Sequence, residues 1–65
     1  MQMQGHTISG NEITIIAYQD CDVTPMGWRK WYWGEVYIVM GGDIINIDDM
    51  TDRNKTHIMD QLPYL

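Results

Sequence analysis

The chain contains 65 residues and carries a formal net charge of −5, because nine acidic residues outnumber four basic ones. This length fits one domain, residues 1–65, which would bury only about 60% of its unfolded surface and would need further stabilisation by a metal ion or a partner subunit. The single cysteine, Cys21, excludes an internal disulfide, and the acidic charge argues against general affinity for nucleic acids or anionic membranes.

A β-hairpin is predicted near the start of the chain, with strands at residues 2–8 and 12–19. Gly10 and Asn11 between these strands tolerate the positive φ angles of a tight turn. The second strand is rich in β-branched residues that alternate between two faces, and its core-facing candidates are Ile13, Ile15 and Ala17. Residues 20–27 contain a proline and a glycine and are predicted to form a loop.

A second hairpin is predicted from the aromatic stretch at residues 28–40, which holds all three tryptophans, to a short strand at residues 43–47. Gly41 and Gly42 between the strands are a strong signal for a two-residue hairpin turn. Pairing outward from this turn places four aliphatic residues on one sheet face, which is predicted to be core: Val36, Ile38, Ile45 and Ile47.

The last segment loses the strand alternation and predicts one helix of about three turns. Asp49 or Thr51 can cap the N-terminus of this helix, Asp52 suits its first turn, and Pro63 ends it. The helix must dock on the sheet through a narrow apolar stripe of Ile58, Met59 and Leu62. The predicted fold class is therefore α+β, a small four-stranded antiparallel sheet built from two hairpins with one C-terminal helix packed on one face. An all-β barrel with a terminal helix is the alternative.

Trp31 and Trp33 can lie on either face of the predicted sheet. In a regular strand they fall opposite the core face, beside Arg29 and Tyr37, where one helix cannot cover them and they would form a contact surface. Gly34 offers the other outcome, because a glycine in mid-strand often marks a bulge. One extra residue there would turn both indoles towards the core, and the sequence leaves both alternatives open.

No motif in the chain predicts catalysis or a bound cofactor. Cys21 lies between Asp20 and Asp22, whose negative charges disfavour the thiolate that a nucleophile requires. No CxxC, HExxH or paired-histidine spacing predicts a metal site, and the acidic segment that starts at Asp20 lacks the glycine and the glutamate of a calcium loop. The chain is therefore predicted to be non-enzymatic, with no metal and no cofactor.

Acidic residues concentrate towards the end of the chain, where five aspartates between residues 43 and 60 face two basic residues. Aromatic anchors combined with an acidic rim favour docking onto a protein partner with a basic surface. The predicted partner-binding residues are Arg29, Trp31, Trp33, Tyr37, Asp48, Asp49 and Asp52.

In size, charge and lack of catalytic motifs the chain resembles, in kind only, the small inhibitors that phages and mobile elements encode against host enzymes. Anti-CRISPR and anti-restriction proteins are examples, and some of them mimic DNA. The resemblance implies an inhibitor or regulator of a larger nucleic-acid-handling enzyme, and it rests on analogy of type, not on a shared motif.

Two other functions stay open on the sequence. One is a homo-oligomeric structural or assembly subunit, possible as a homodimer, in which the aromatic stretch pairs with its symmetry mate. The other is a single-stranded nucleic-acid binder that stacks bases on the stretch from Trp28 to Trp33, where Arg29 and Lys30 supply the only nearby positive charge. A cytoplasmic location without membrane contact is expected, because the chain shows neither a signal-peptide pattern nor about 20 consecutive apolar residues.

Overall fold

The computed structural model describes residues 1–65 and contains four strands and two helical segments. In chain order these are β1 (Gln2–His6), β2 (Glu12–Val23), β3 (Arg29–Met40), β4 (Asp43–Asn46), a 3₁₀ turn (Ile47–Asp49) and α1 (Asp52–Asp60). The strands form one antiparallel sheet in the order β1-β2-β3-β4, so each strand lies beside its neighbours in sequence. This open sheet with one C-terminal helix confirms the predicted α+β fold, and the barrel alternative is wrong.

Two of the three hairpin turns share a local structure that begins at a threonine. The threonine carbonyl oxygen accepts a bond from the glycine three residues later, Gly10 N–H to Thr7 and Gly27 N–H to Thr24, at 2.9 Å in both turns. The threonine Oγ1 accepts a second bond, at 3.1 Å, from the N–H of the residue after the glycine. Both glycines have a positive φ, 91° and 85°, which a three-residue hairpin loop requires at this position. The pattern T-x-x-G-x therefore forms the same turn at residues 7–11 and 24–28.

The β2–β3 hairpin is longer than the sequence predicted. Residues 20–23 were predicted to be loop, yet they continue the ladder, with Cys21 opposite Trp31. Pro25 does not interrupt the ladder, because it lies in the turn itself, where its missing N–H removes no strand bond. At the other hairpin, β1 ends at His6 rather than near residue 8, because the turn already begins at Thr7.

The hydrophobic core lies between one face of the sheet and α1. It contains eight buried residues, which are Ile13, Ile15, Ala17, Val36, Ile38, Ile47, Ile58 and Leu62. The core positions predicted on β2 and β3 are confirmed, and Ile45 on β4 packs against the core while remaining partly exposed. No residue of the opposite sheet face belongs to this buried set, because α1 covers one face alone.

Side-chain hydrogen bonds anchor α1 at both ends. Thr51, one of the two predicted caps, accepts a bond from the Asn54 N–H at 3.3 Å, whereas Asp49 lies in the 3₁₀ turn. Beyond the other end, the Gln61 side chain accepts a bond from the His6 N–H at 2.9 Å and donates one to the His6 carbonyl at 2.8 Å. Gln61 thereby occupies the outer edge of β1 at His6, the last residue of this strand.

Candidate interaction surfaces

A bulge in β3 decides where the tryptophans lie. Ala17 pairs with Val36, but Gln19 pairs with Trp33, so β3 contributes one more residue than β2 over this interval, at Gly34-Glu35. The bulge turns Trp31 and Trp33 to the helix side of the sheet, the face that also holds Val36. The alternative of a regular strand, which placed both indoles beside Tyr37 on the opposite face, is therefore wrong.

The two indoles have different surroundings on the helix side. Trp33 is half-buried, packs against the core, and donates a hydrogen bond from Nε1 to the carbonyl oxygen of Pro63 at 3.0 Å. Trp31 is 48% exposed and lines a shallow groove of about 350 Å³ together with Met59, Leu62, Tyr64 and Leu65. The Trp33 side chain is therefore held by contacts within the fold, whereas the Trp31 side chain keeps an exposed surface.

Tyr37 lies on the other side of the sheet, where no helix covers it. We define the open face by five side chains on this side: Ile16, Tyr18, Tyr37, Val39 and Ile44. The Tyr18 and Tyr37 rings meet edge to face with their centroids 6.4 Å apart, and Ile44 is 69% exposed. The sequence prediction named Tyr37 alone among these five residues. The available signal was the strand alternation, which leaves Ile16 and Tyr18 opposite the core residues of β2.

Carboxylates border the open face near Tyr37. The Tyr37 hydroxyl donates a hydrogen bond to Glu35 Oε2 at 3.0 Å, and this bond is the main reason that the pKa of Tyr37 lies above its usual 10.0. Partial desolvation and the negative charges of Glu35 and Asp48 raise the pKa of Tyr37 further. The negative charge of Asp48 thus acts on the Tyr37 hydroxyl, and Glu35 and Asp48 form an acidic edge beside this aromatic residue.

The other predicted acidic residues lie where β4 passes into α1. Asp48 Oδ1 pairs with Lys55 Nζ at 2.7 Å, and the bond to Asp48 is the main reason that the pKa of Lys55 is raised. Asp49 ends the 3₁₀ turn and Asp52 begins α1, and both are exposed. Of the seven predicted partner-binding residues, the structure therefore groups Tyr37 with Asp48 and separates them from the tryptophans and Arg29.

The far end of the β2–β3 hairpin extends beyond the helix, and we call residues 19–33 the arm. The molecule measures 44 × 21 × 19 Å, and the tip of the arm exposes Met26 and Trp28 by 84% and 71%. Arg29 pairs with Val23 on the helix side, whereas Lys30 pairs with Asp22 on the opposite side. The two cations that a stacking platform for nucleic acid would need thus point to opposite sides of the arm.

Tyr32 shares the side of the arm that carries Lys30. Partial burial is the largest cause of the raised pKa of Tyr32, followed by the negative charges of Asp20 and Asp22. This side of the arm is therefore acidic around its aromatic residue, which is unfavourable for a nucleic-acid phosphate.

Comparisons of this chain with protein-family models, with curated proteins and with solved structures give no match. No three His, Cys, Asp or Glu side chains converge as they would around a metal ion. No helix combines the length and the apolar composition that crossing a bilayer would take.

Proposed function

We propose that this chain is a non-enzymatic interaction protein that docks through its open face onto a basic surface of a larger protein. The observation that carries the proposal is a sheet face that combines exposed aromatic and aliphatic side chains with carboxylates at its edge. Exposed apolar patches with a polar rim are typical of protein interaction sites.

The negative charge of the chain supports a partner with a basic surface. The net charge of −5 and the carboxylates Glu35 and Asp48 beside Tyr37 complement a positively charged surface. Such complementarity accelerates association and selects among partners. Enzymes that handle nucleic acids carry basic surfaces of this kind, so we propose that the chain inhibits or regulates such an enzyme by occupying that surface.

The first experiment is affinity capture from the native host with the full chain as bait, followed by calorimetric titration of the identified partner. Ile44→Lys places a charge on the most exposed aliphatic side chain of the open face, and we expect it to weaken binding by about 100-fold, as the loss of an interface anchor does. Met26→Lys adds the same charge at the tip of the arm and is the matched control, expected to change affinity by less than about threefold.

The same titrations test the chemistry of the partner. Binding should weaken as NaCl rises, because the carboxylates act through long-range charge. If the partner is a nucleic-acid enzyme, DNA or RNA should compete with the chain for it. Equal losses from Ile44→Lys and Met26→Lys would contradict the open face as the docking surface, and affinity independent of salt would contradict the basic partner.

A further inference from the structure

The β3 edge of the arm has no neighbouring strand. β4 pairs with β3 only from Tyr37 to Met40, so residues 29–33 lie beyond its end. None of the backbone hydrogen bonds made by turns, loops and caps reaches residues 29–33. Unpaired edges of this kind readily accept another strand.

The hydrogen-bond alternation shows which backbone groups are free on this edge. The Thr24 N–H donates to the Trp28 carbonyl at 2.8 Å, so this pair is bonded across the β2–β3 ladder. In an antiparallel ladder bonded pairs recur at every second residue, which places the next bonds at Lys30 and Tyr32. The N–H and C=O groups of Arg29, Trp31 and Trp33 therefore point away from β2, towards the open edge.

The sequence of this edge, R-K-W-Y-W from residue 29 to residue 33, is complementary to itself. When two copies align antiparallel about Trp31, Arg29 of one copy lies opposite Trp33 of the other. Lys30 then lies opposite Tyr32, so each cation meets an aromatic ring, an arrangement favoured by cation–π attraction. The three outward-pointing residues also fall opposite one another, and each bonded pair can exchange two backbone hydrogen bonds.

Other edge pairings are less favourable. A shift of the two-fold axis to Lys30 places the two lysines opposite each other, and like charges opposite one another destabilise a sheet. The outer edge of β2, paired with itself about Cys21, would oppose Asp20 to Asp22 of the second copy. Pairing β3 of one copy with β2 of the next would not close and would build an open chain.

We propose that the chain forms a closed homodimer through antiparallel pairing of the β3 edges, centred on Trp31. The strand that occupies the free β3 edge belongs to a second copy of this chain. This contact lies outside the open face. The two-fold axis stands perpendicular to the sheet, so the two open faces lie on the same side of the dimer. If the proposed function holds, the dimer is bivalent towards its partner, and this last step alone rests on that function.

Sedimentation equilibrium of the full chain from micromolar to millimolar concentration tests the dimer. We expect the mass to double as concentration rises, and Trp31→Pro to abolish the doubling, because proline removes an outward N–H that the monomer does not use. Val23→Pro makes the matching change on the other edge of the arm, where the N–H also points outward, and should leave the dimer intact. Ile44→Lys should also remain dimeric, which separates failure of the dimer from failure of partner docking.

A cysteine cross-link tests the register. In a Cys21→Ser background, Trp31→Cys places two thiols opposite each other at the two-fold axis, and mild oxidation should give covalent dimers. Arg29→Cys in the same background keeps its two thiols several residues apart and should cross-link far more slowly. A mass that stays monomeric, a Trp31→Pro variant that still dimerises, or growth into larger polymers would each overturn the proposal.

Discussion

Gly5 on β1 is closely approached by Ile15 of β2 and by Gln61 at the end of α1. A Cβ at this position would lie 2.6 Å from Ile15 Cδ1 and 2.9 Å from Gln61 Oε1, well inside normal contact distance. The glycine therefore permits the Gln61 side chain to bond both backbone groups of His6. Its role is to provide space, since its φ lies outside the positive range that the turn glycines occupy.

Gly5→Ala should lower the free energy of unfolding by about 1–3 kcal/mol, the usual range for a core contact that is too tight. The measurement is chemical denaturation followed by circular dichroism. Ile15→Val removes the Cδ1 atom, and by itself should cost about 0.5–1.5 kcal/mol. In the double variant the alanine should cost clearly less than it does alone, because its nearest neighbour is gone. Simple additivity of the two changes would contradict this account of Gly5.

Ionisation of Tyr37, a residue of the open face, makes the stability of the fold depend on pH in the alkaline range. Its hydrogen bond to Glu35 raises its pKa in the folded protein above the ordinary value of 10.0. The native state thus holds the phenol proton more tightly than the unfolded chain does. The stability from this bond is present below about pH 10 and is lost as the pH rises through the folded-state pKa.

Titration of the tyrosine ring resonances by NMR should show Tyr37 ionising at a higher pH in the native protein than in Glu35→Gln. The amide removes the carboxylate charge and accepts a weaker hydrogen bond, so the phenol loses its main stabilising partner. Tyr32 should keep its own raised pKa in this variant, because its neighbours are Asp20 and Asp22. An unchanged Tyr37 titration in Glu35→Gln would refute the assigned cause.

At the scale of elements, the bulge at Gly34-Glu35 determines which side of the arm faces the helix. It turns Trp33 towards the core and brings its indole N–H to the Pro63 carbonyl. Insertion of one glycine between Tyr18 and Gln19 would give the extra residue of β3 a partner, restore a regular ladder and move residues 19–33 to the opposite side. We expect the insertion to expose Trp33, which shifts tryptophan fluorescence to the red and removes the bonded indole N–H resonance.

Gly34→Ala keeps the length of both strands and is the control for this insertion. A Cβ at Gly34 would meet Asp20 Cβ at 3.3 Å, a tight contact that a small movement of the aspartate can relieve. The substitution should therefore leave the fluorescence of Trp33 unchanged. An insertion variant with native fluorescence would mean that the bulge does not set the face of Trp33.

The strands, the turns and the cap could be predicted from local signals. Glycine pairs, β-branched alternation and Thr51 each act within a few residues, and they gave the sheet, the Gly41-Gly42 turn and the helix start. The side on which Trp33 lies could not be predicted in this way. It depends on the hydrogen bond between Trp33 and Pro63, which lie 30 positions apart in the sequence. Local sequence patterns carry no information about such a distant contact. The open-face residues lie on the other side of the bulge, and their grouping follows from the strand alternation.

At the scale of the whole molecule, few charged side chains are paired with a side chain of opposite charge. Lys55–Asp48 is the one ion pair, and both side chains are substantially exposed, at 44% and 70%. An exposed pair of this kind contributes little to stability. Repulsion among the remaining carboxylates therefore outweighs attraction in the folded state, because the net charge is −5.

NaCl should accordingly raise the melting temperature, since salt screens the repulsion more than it weakens one surface pair. Thermal unfolding by circular dichroism in a NaCl series provides the measurement, at a fixed protein concentration so that any dimer contributes equally. Asp60→Asn removes one negative charge and should show a smaller salt effect. A melting temperature that falls with NaCl would mean that attractive pairs dominate.

The order of the strands has a consequence for how the chain reaches its native state. Each strand pairs with its neighbour in sequence across a tight turn, so the sheet forms from local contacts, which favour rapid folding. The contact between Gln61 and His6 spans 55 residues and carries the largest loop-closure cost, so we expect it to form after the rate-limiting step. Stopped-flow kinetics should then show that Gly41→Ala mainly slows folding, whereas Gln61→Ala mainly accelerates unfolding.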